Sequence, residues 1–255
     1  MHMQEKDIIT ISPVAYIQTD LKDNFAVPRQ SRLCPALCGK IHFTKPYARY
    51  EAVRELEGFS HIWLLFGFSK HHNTNTGLTV RPPRLGGNQR VGVFASRAPF
   101  RPNGLGLSCV ELLQLEYDEN GCPSLLVGGV DLADETPIYD IKPYLPLTDS
   151  VPYASEGYTK QTKMHHLNVI CPPALLICFS EKQRKALLEC LQQDPRPGYS
   201  QNSDKRFGFS YAGHEITFTV TQNTLTVEEI HRKPTCIFCY FRYACDGLCE
   251  SKVRY

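Results

Sequence analysis

The 255-residue sequence lacks the usual signatures of nucleotide-using and hydrolytic enzymes. It has no G-x-x-x-x-G-K-[ST] loop to cradle phosphates and no G-x-S-x-G elbow to present a serine nucleophile. The glycines of Gly104-Leu105-Gly106-Leu107-Ser108 do not open a helix in a βαβ unit, which disfavours a Rossmann-type methyltransferase or dehydrogenase. Histidine gives no metal signature. His71-His72 and His165-His166 are adjacent pairs rather than the i, i+4 pairs that share a helix face, and His61 reads as a core or interface residue. No apolar run reaches transmembrane length, FSHIWLLFGF (Phe59 to Phe68) being too short, so no membrane association is expected. The opening MHMQEKDIITISP has no long apolar stretch of a secretory leader. With 11 cysteines and no leader, the expectation is a cytoplasmic protein with reduced thiols rather than a disulfide scaffold. A formal net charge of +2 argues against bulk electrostatic binding of nucleic acid but leaves a local basic face open. There is no low-complexity tract and no internal repeat.

What is present is mainly β. Short β-type runs occur at residues 8–17, 40–44, 59–68, 90–96, 107–117, 124–133 and 136–141, separated by Gly, Pro, Asn and Asp clusters. One short helical pattern, YARYEAVRELEG at 47–58, interrupts them. Many strands with loop punctuation predict a closed or nearly closed barrel. LSCVELLQLEY alternates imperfectly, and FSHIWLLFGF reads as a strand covered on both faces. Residues 145–165 are polar and aperiodic, as in a linker. A small α+β unit follows. Ser180 and Gln183 form a capping box for a helix to about Gln193, stopped by Asp194-Pro195. Three period-two strands then turn at Ala212-Gly213 and Gln222-Asn223 as a meander. The expected organisation is an N-terminal β-barrel at 8–155, a small α+β domain at 166–235 and a cysteine-rich tail at 236–255.

Four stretches carry chemistry. VPRQSR (Val27 to Arg32) offers a rigid backbone and two arginine forks suited to carboxylate or phosphate, or is an ordinary basic loop. Val80 to Ser108 holds Arg81, Arg84, Arg90, Arg97 and Arg101 among prolines and glycines, with Phe94 and Phe100 as packing or stacking groups. Proline lowers the entropy cost of presenting a side chain and glycine lets a ligand approach the backbone, so this reads as a preorganised anion or nucleic-acid site. DLADETPIYDIKPYLP (Asp131 to Pro146) brings acids that can accept from hydroxyls, act as a base, or merely form turns. Finally, Cys236, Cys239, Cys245 and Cys249 have the spacing of a tetrathiolate site, which suits a structural zinc or an iron–sulfur cluster; a tail of free thiols is the alternative.

Together, FAVPRQ (Phe25 to Gln30), VRPPRLGGNQRVGVFASRAPFRPN (Val80 to Asn103) and DIKPYLP (Asp140 to Pro146) resemble the TrmO/TsaA family over at least Ile11 to Tyr153. QDPRPGY (Gln193 to Tyr199) extends the resemblance into the second unit. The resemblance implies a TsaA-like, non-Rossmann barrel holding S-adenosylmethionine. It implies methylation of N6 of threonylcarbamoyladenosine, next to the anticodon of tRNA on its 3′ side, by a homodimer with the cofactor near the subunit interface. Matched to the family, Gln30, Ser31, Arg32, Ser69, Lys70, Arg97, Leu107, Asp134, Glu135, Thr136 and Pro137 fall at cofactor positions. Asp134 is in addition the expected proton acceptor. Arg84, Arg90 and Arg101 are expected to meet the RNA backbone. The chain departs from the pattern at Glu135, where the family has glycine, and at Gly104, where it has proline. Glu135 keeps a second function open, a non-catalytic module that binds S-adenosylmethionine or tRNA.

Overall fold

The structure, a computed structural model, describes residues 8–22, 24–68, 77–82, 89–161, 166–196 and 205–233. In chain order the first unit contains β1 (Ala15–Thr19), β2 (Cys38–Phe43), α1 (Tyr50–Val53), β3 (His61–Gly67), β4 (Thr79–Val80), β5 (Val91–Gly92), β6 (Leu105–Tyr117), β7 (Pro123–Gly128), β8 (Thr136–Pro143) and α2 (Pro146–Asp149). Six of these strands close into a barrel in the order β1-β2-β7-β6-β3-β8, every neighbouring pair antiparallel. Side-chain alternation fills it: Ala15, Ile17, Ile41, Ile62, Leu64, Val110, Leu125, Val127 and Ile138 are buried. At the β3–β6 pair Phe66 lies opposite Gly106, and a Cβ at Gly106 would stand 2.3 Å from the ring, so only glycine admits it.

Two local readings change, and a third gains its cause. β3 alternates rather than being covered on both faces. Ile62, Leu64 and Phe66 point inward, while His61, Trp63 and Leu65 are half-buried outside. Trp63 meets Tyr144 there (ring centroids 5.9 Å) and donates from Nε1 to Asp149 Oδ2 at 2.9 Å. β6 alternates imperfectly because its register against β7 shifts between Leu112 and Gln114, a bulge that bends a 13-residue strand around the barrel. The helical pattern at 47–58 yields only α1 and a 3₁₀ turn at Leu56–Gly58, because Glu55 adopts φ 67° and breaks the helix.

The second unit contains β9 (Asn168–Ile170), α3 (Glu181–Gln192), β10 (Phe207–Tyr211), β11 (His214–Thr221) and β12 (Thr224–Arg232). The three-strand meander is present, and β9 adds a fourth strand, parallel to β12, in the order β10-β11-β12-β9. Three residues are too short a run for periodicity to mark. Ser180 caps α3 by accepting from the Gln183 amide, and the Gln183 side chain accepts from the Ser180 amide in return. Beyond the helix Asp194 takes φ 52° ahead of Pro195.

The two units share one continuous core. Leu21, just past β1, bridges to Tyr211 of β10, and the Ala212 amide donates to Asp20 O at 2.9 Å. Phe25 stacks on Phe207 with centroids 6.4 Å apart. Gln183 of α3 donates to Asp20 Oδ2 at 3.2 Å, and Glu189 accepts from the Ala36 amide at 2.9 Å.

The capping box is a direct test of this architecture. Ser180→Ala should lower stability by about 1 kcal/mol with the fold unchanged, read as a shift of the urea midpoint at constant slope.

Candidate cofactor and RNA site at one mouth of the barrel

Antiparallel closure sorts the loops. The ends of β1, β3 and β7 and the starts of β2, β6 and β8 lie at one mouth, as the pairings Thr19 with Gly39, Gly128 with Cys38, Gly67 with Leu105 and Ile17 with Thr136 require. Three connections therefore emerge together: 20–37, 68–104 and 129–135. They carry nearly every residue that the sequence singles out.

The 20–37 and 129–135 connections lock directly. Arg32 adopts φ 65° and its amide donates to Gly129 O at 2.8 Å. Gly129 has φ 65° itself, and a Cβ there would come within 3.1 Å of Arg32 Cα, so glycine is needed for both conformation and space. Gln30 accepts from Arg97 Nη1, which joins the first connection to the basic one. Beneath them lies Asp131. Its carboxylate accepts from Ser108 Oγ of β6. Burial pushes its pKa up to about 6, against the opposing pull of the Ser108 hydroxyl, its own amide, the Ser31 amide and the Arg97 charge. Asp131 is the residue that sequence reasoning passed over. Its type and position, three residues before Asp134 in an acid-rich turn, gave no sign that it alone turns toward the arginine loop. Leu107, beside Ser108 on β6, faces the other way and is 59% exposed.

The Asp134–Pro137 segment does a different job. Asp134 is buried, accepts from the Thr19 amide at 2.9 Å and pairs with Lys22. Its carboxylate thus ties the start of β8 to the end of β1. Glu135 is exposed with φ 62° and donates its amide to Ile17 O at 2.8 Å. Thr136 Oγ1 donates to Ala133 O at 2.7 Å, and Pro137 sits opposite Tyr16.

Of the arginines expected to meet RNA, Arg90 is exposed and donates to Thr79 Oγ1 at 2.8 Å across the β4–β5 ribbon. Arg101 turns its guanidinium inward, onto the carbonyls of Val93 and Ser96, and so holds its own loop together. Phe94 is 79% exposed and Phe100 is also exposed. Ser69, Lys70, Arg84 and the four cysteines Cys236, Cys239, Cys245 and Cys249 lie outside the described residues. Among the described residues no group of three or more His, Cys, Asp or Glu is placed to hold a metal.

The model of the tRNA-methyltransferase O N-terminal domain matches residues 16–150, and that of the TrmO C-terminal domain matches residues 176–233. The chain belongs to the tRNA-methyltransferase O family. It is 40% identical over 205 residues to the tRNA (adenine(37)-N6)-methyltransferase of Escherichia coli K12, covering 78% of this chain and 86% of that protein. It is 39% identical over 215 residues to a Pseudomonas aeruginosa protein named for S-adenosylmethionine-dependent methyl transfer, covering 78% and 87%. The crystal structure of TrmO from Pseudomonas aeruginosa superposes with a TM-score of 0.69 at 30% identity, covering 88% of this chain and 98% of that one. The mainly β fold and the closed barrel are thus those of the family.

Within this family member two residues give measurable predictions. Asp131 holds its proton more tightly folded than unfolded, so its ionisation costs stability. The cost is absent below about pH 4, grows between about pH 4 and 6, and reaches about 3 kcal/mol above that. Asp131→Asn should remove this decline, read as the unfolding free energy measured across the same window. Glu135→Gly relieves a left-handed residue and should stabilise by about 1 kcal/mol, whereas Glu135→Val should destabilise by a similar amount.

Proposed function

We propose that the protein is an S-adenosylmethionine-dependent tRNA methyltransferase acting on N6 of adenosine 37 in its threonylcarbamoyl form, and that it works in the cytoplasm as a homodimer. Membership of the tRNA-methyltransferase O family carries the reading. The donor set at the barrel mouth fits the cofactor. Arg97 is an exposed guanidinium oriented by Gln30, and it suits the carboxylate of a methionyl group. Leu107 offers apolar surface beside them. When bound, S-adenosylmethionine supplies an electrophilic methyl group on a sulfonium.

The chain's own contribution is alignment. Gly129 and Arg32 fix the first loop and Gln30 fixes Arg97, so that the binding groups are held before substrate arrives. Arg90 provides positive charge for phosphates, and the exposed rings of Phe94 and Phe100 suit stacking on unpaired bases of an anticodon loop. Exposed Leu78, Phe94 and Leu107 on or beside the basic connection support a second copy packing near the site. Glu135 keeps the left-handed conformation expected of the family's glycine, so its turn is not distorted; this favours turnover over a non-catalytic binding module.

The test uses purified protein, methyl-labelled S-adenosylmethionine and two tRNA pools, one carrying threonylcarbamoyladenosine and one made without it. Label should appear only in the first pool, as the N6-methylated threonylcarbamoyl nucleoside. Absence of label from both, with the cofactor bound, would overturn the reading.

A further inference from the structure

Methyl transfer to N6 requires a proton acceptor. The nitrogen is bonded to a carbonyl, its lone pair is delocalised, and it gains positive charge as the new bond forms. The acids at the barrel mouth can be sorted by what already holds them. Asp134 is taken by Lys22 and the Thr19 amide. Asp20 accepts from Gln183, Glu189 accepts from the Ala36 amide, and Asp194 is in a bidentate pair with Arg196. Glu135 lies in open solvent on the turn into β8. Asp131 differs from all of these. It alone sits where the Gln30 loop, the Arg97 segment and β6 converge, half-buried, with the Ser108 hydroxyl as its hydrogen-bond donor and the Arg97 charge acting on it.

We infer that Asp131 is the group that accepts the N6 proton during methyl transfer, an inference that rests on the methyltransferase reading above. The N6 lone pair forms the new N–C bond, the C–S bond of the methyl donor breaks with its electron pair retained by sulfur, and the N6 proton passes to a carboxylate oxygen of Asp131 and on to water. The Ser108 hydroxyl aims the carboxylate, and Arg97 is the charged group that acts on it from the facing loop. Burial favours the neutral acid enough to make the carboxylate a useful base, while leaving it ionised at neutral pH.

The experiment compares wild type, Asp131→Asn and Ser108→Ala. It measures the pH profile of single-turnover methyl transfer to threonylcarbamoyl tRNA, S-adenosylmethionine affinity by calorimetry, thermal unfolding, and the NMR titration of ¹³C-labelled aspartate carboxyls without cofactor. Asp131→Asn should lose roughly 10²–10⁴-fold in rate and the acid limb of the profile, with cofactor affinity retained. Ser108→Ala removes a hydrogen bond that favours the carboxylate, so it should move both the carboxyl titration and the acid limb to higher pH together. Asp131→Asn retaining rate and limb would overturn the inference. So would its loss of cofactor affinity, which would make Asp131 a holder of the cofactor loop, or a Ser108→Ala carboxyl shift with an unmoved limb. Wild type inactive on the modified tRNA would overturn the methyltransferase reading and the inference with it.

Discussion

β1 and β8 meet over only three residue pairs, from Ala15 with Ile138 to Ile17 with Thr136, and on that seam the closure of the barrel depends. The turn entering β8 prolongs it. The Glu135 amide reaches Ile17 O, the Asp134 amide reaches Leu21 O at 2.7 Å, and the Asp134 carboxylate holds the Thr19 amide. A buried carboxylate that accepts a backbone amide and a lysine is satisfied on both counts, which makes burial tolerable. Because the ring closes there, the three connections at that mouth share one rim, and residues a hundred positions apart become neighbours.

How much of this could be read from the sequence follows from range. Period-two alternation in β10 to β12, the Ser180–Gln183 box and the Ala212-Gly213 turn are local, and each element forms where its pattern stands, whereas β1 takes up only the end of the run at 8–17 and continues to Thr19. Glu55 and the bulge at Leu113 are tertiary in origin. The left-handed backbone of Glu55 and the curvature of a long strand override propensity there, and neither leaves a mark in composition. The arginine-rich connection was legible as a site because ordinary strand linkage does not need its chemistry. Its internal division of labour was not legible. Arg97 and Arg101 are four residues apart in the same motif, yet one faces the Gln30 loop and the other two carbonyls of its own turn. Asp131 and Asp134 part ways similarly, and only the direction each side chain takes separates them.

Burial also explains why the second unit cannot be treated as an appendage. Tyr211, Phe209 and Phe218 are fully enclosed, and the aromatic stack runs from Phe218 through Phe207 to Phe25 on the first connection. Tyr211 donates to Gln183 O at 2.9 Å, so the one polar atom this ring carries into the interface is satisfied. Cys34 and Cys190 are buried in the same layer, and the Cys34 thiol together with burial pushes the Cys190 thiol well up, which leaves Cys190 protonated.

The contacts made by α3 and its C-terminal turn give the second unit a role in the geometry of the rim. Glu189 grips the Ala36 amide, Gln193 reaches Leu33 O at 3.5 Å, and Arg29 donates to Arg196 O at 3.3 Å. The loop bearing Gln30 and Ser31 is therefore clasped between two parts of the chain, with its own short sequence settling neither side. Interchange of second units between relatives would succeed only where the incoming unit keeps an acceptor at the position of Glu189 and a donor at that of Gln193. Drift in the clasp and drift in the loop are thus coupled: a chain can change one half only as fast as it changes the other.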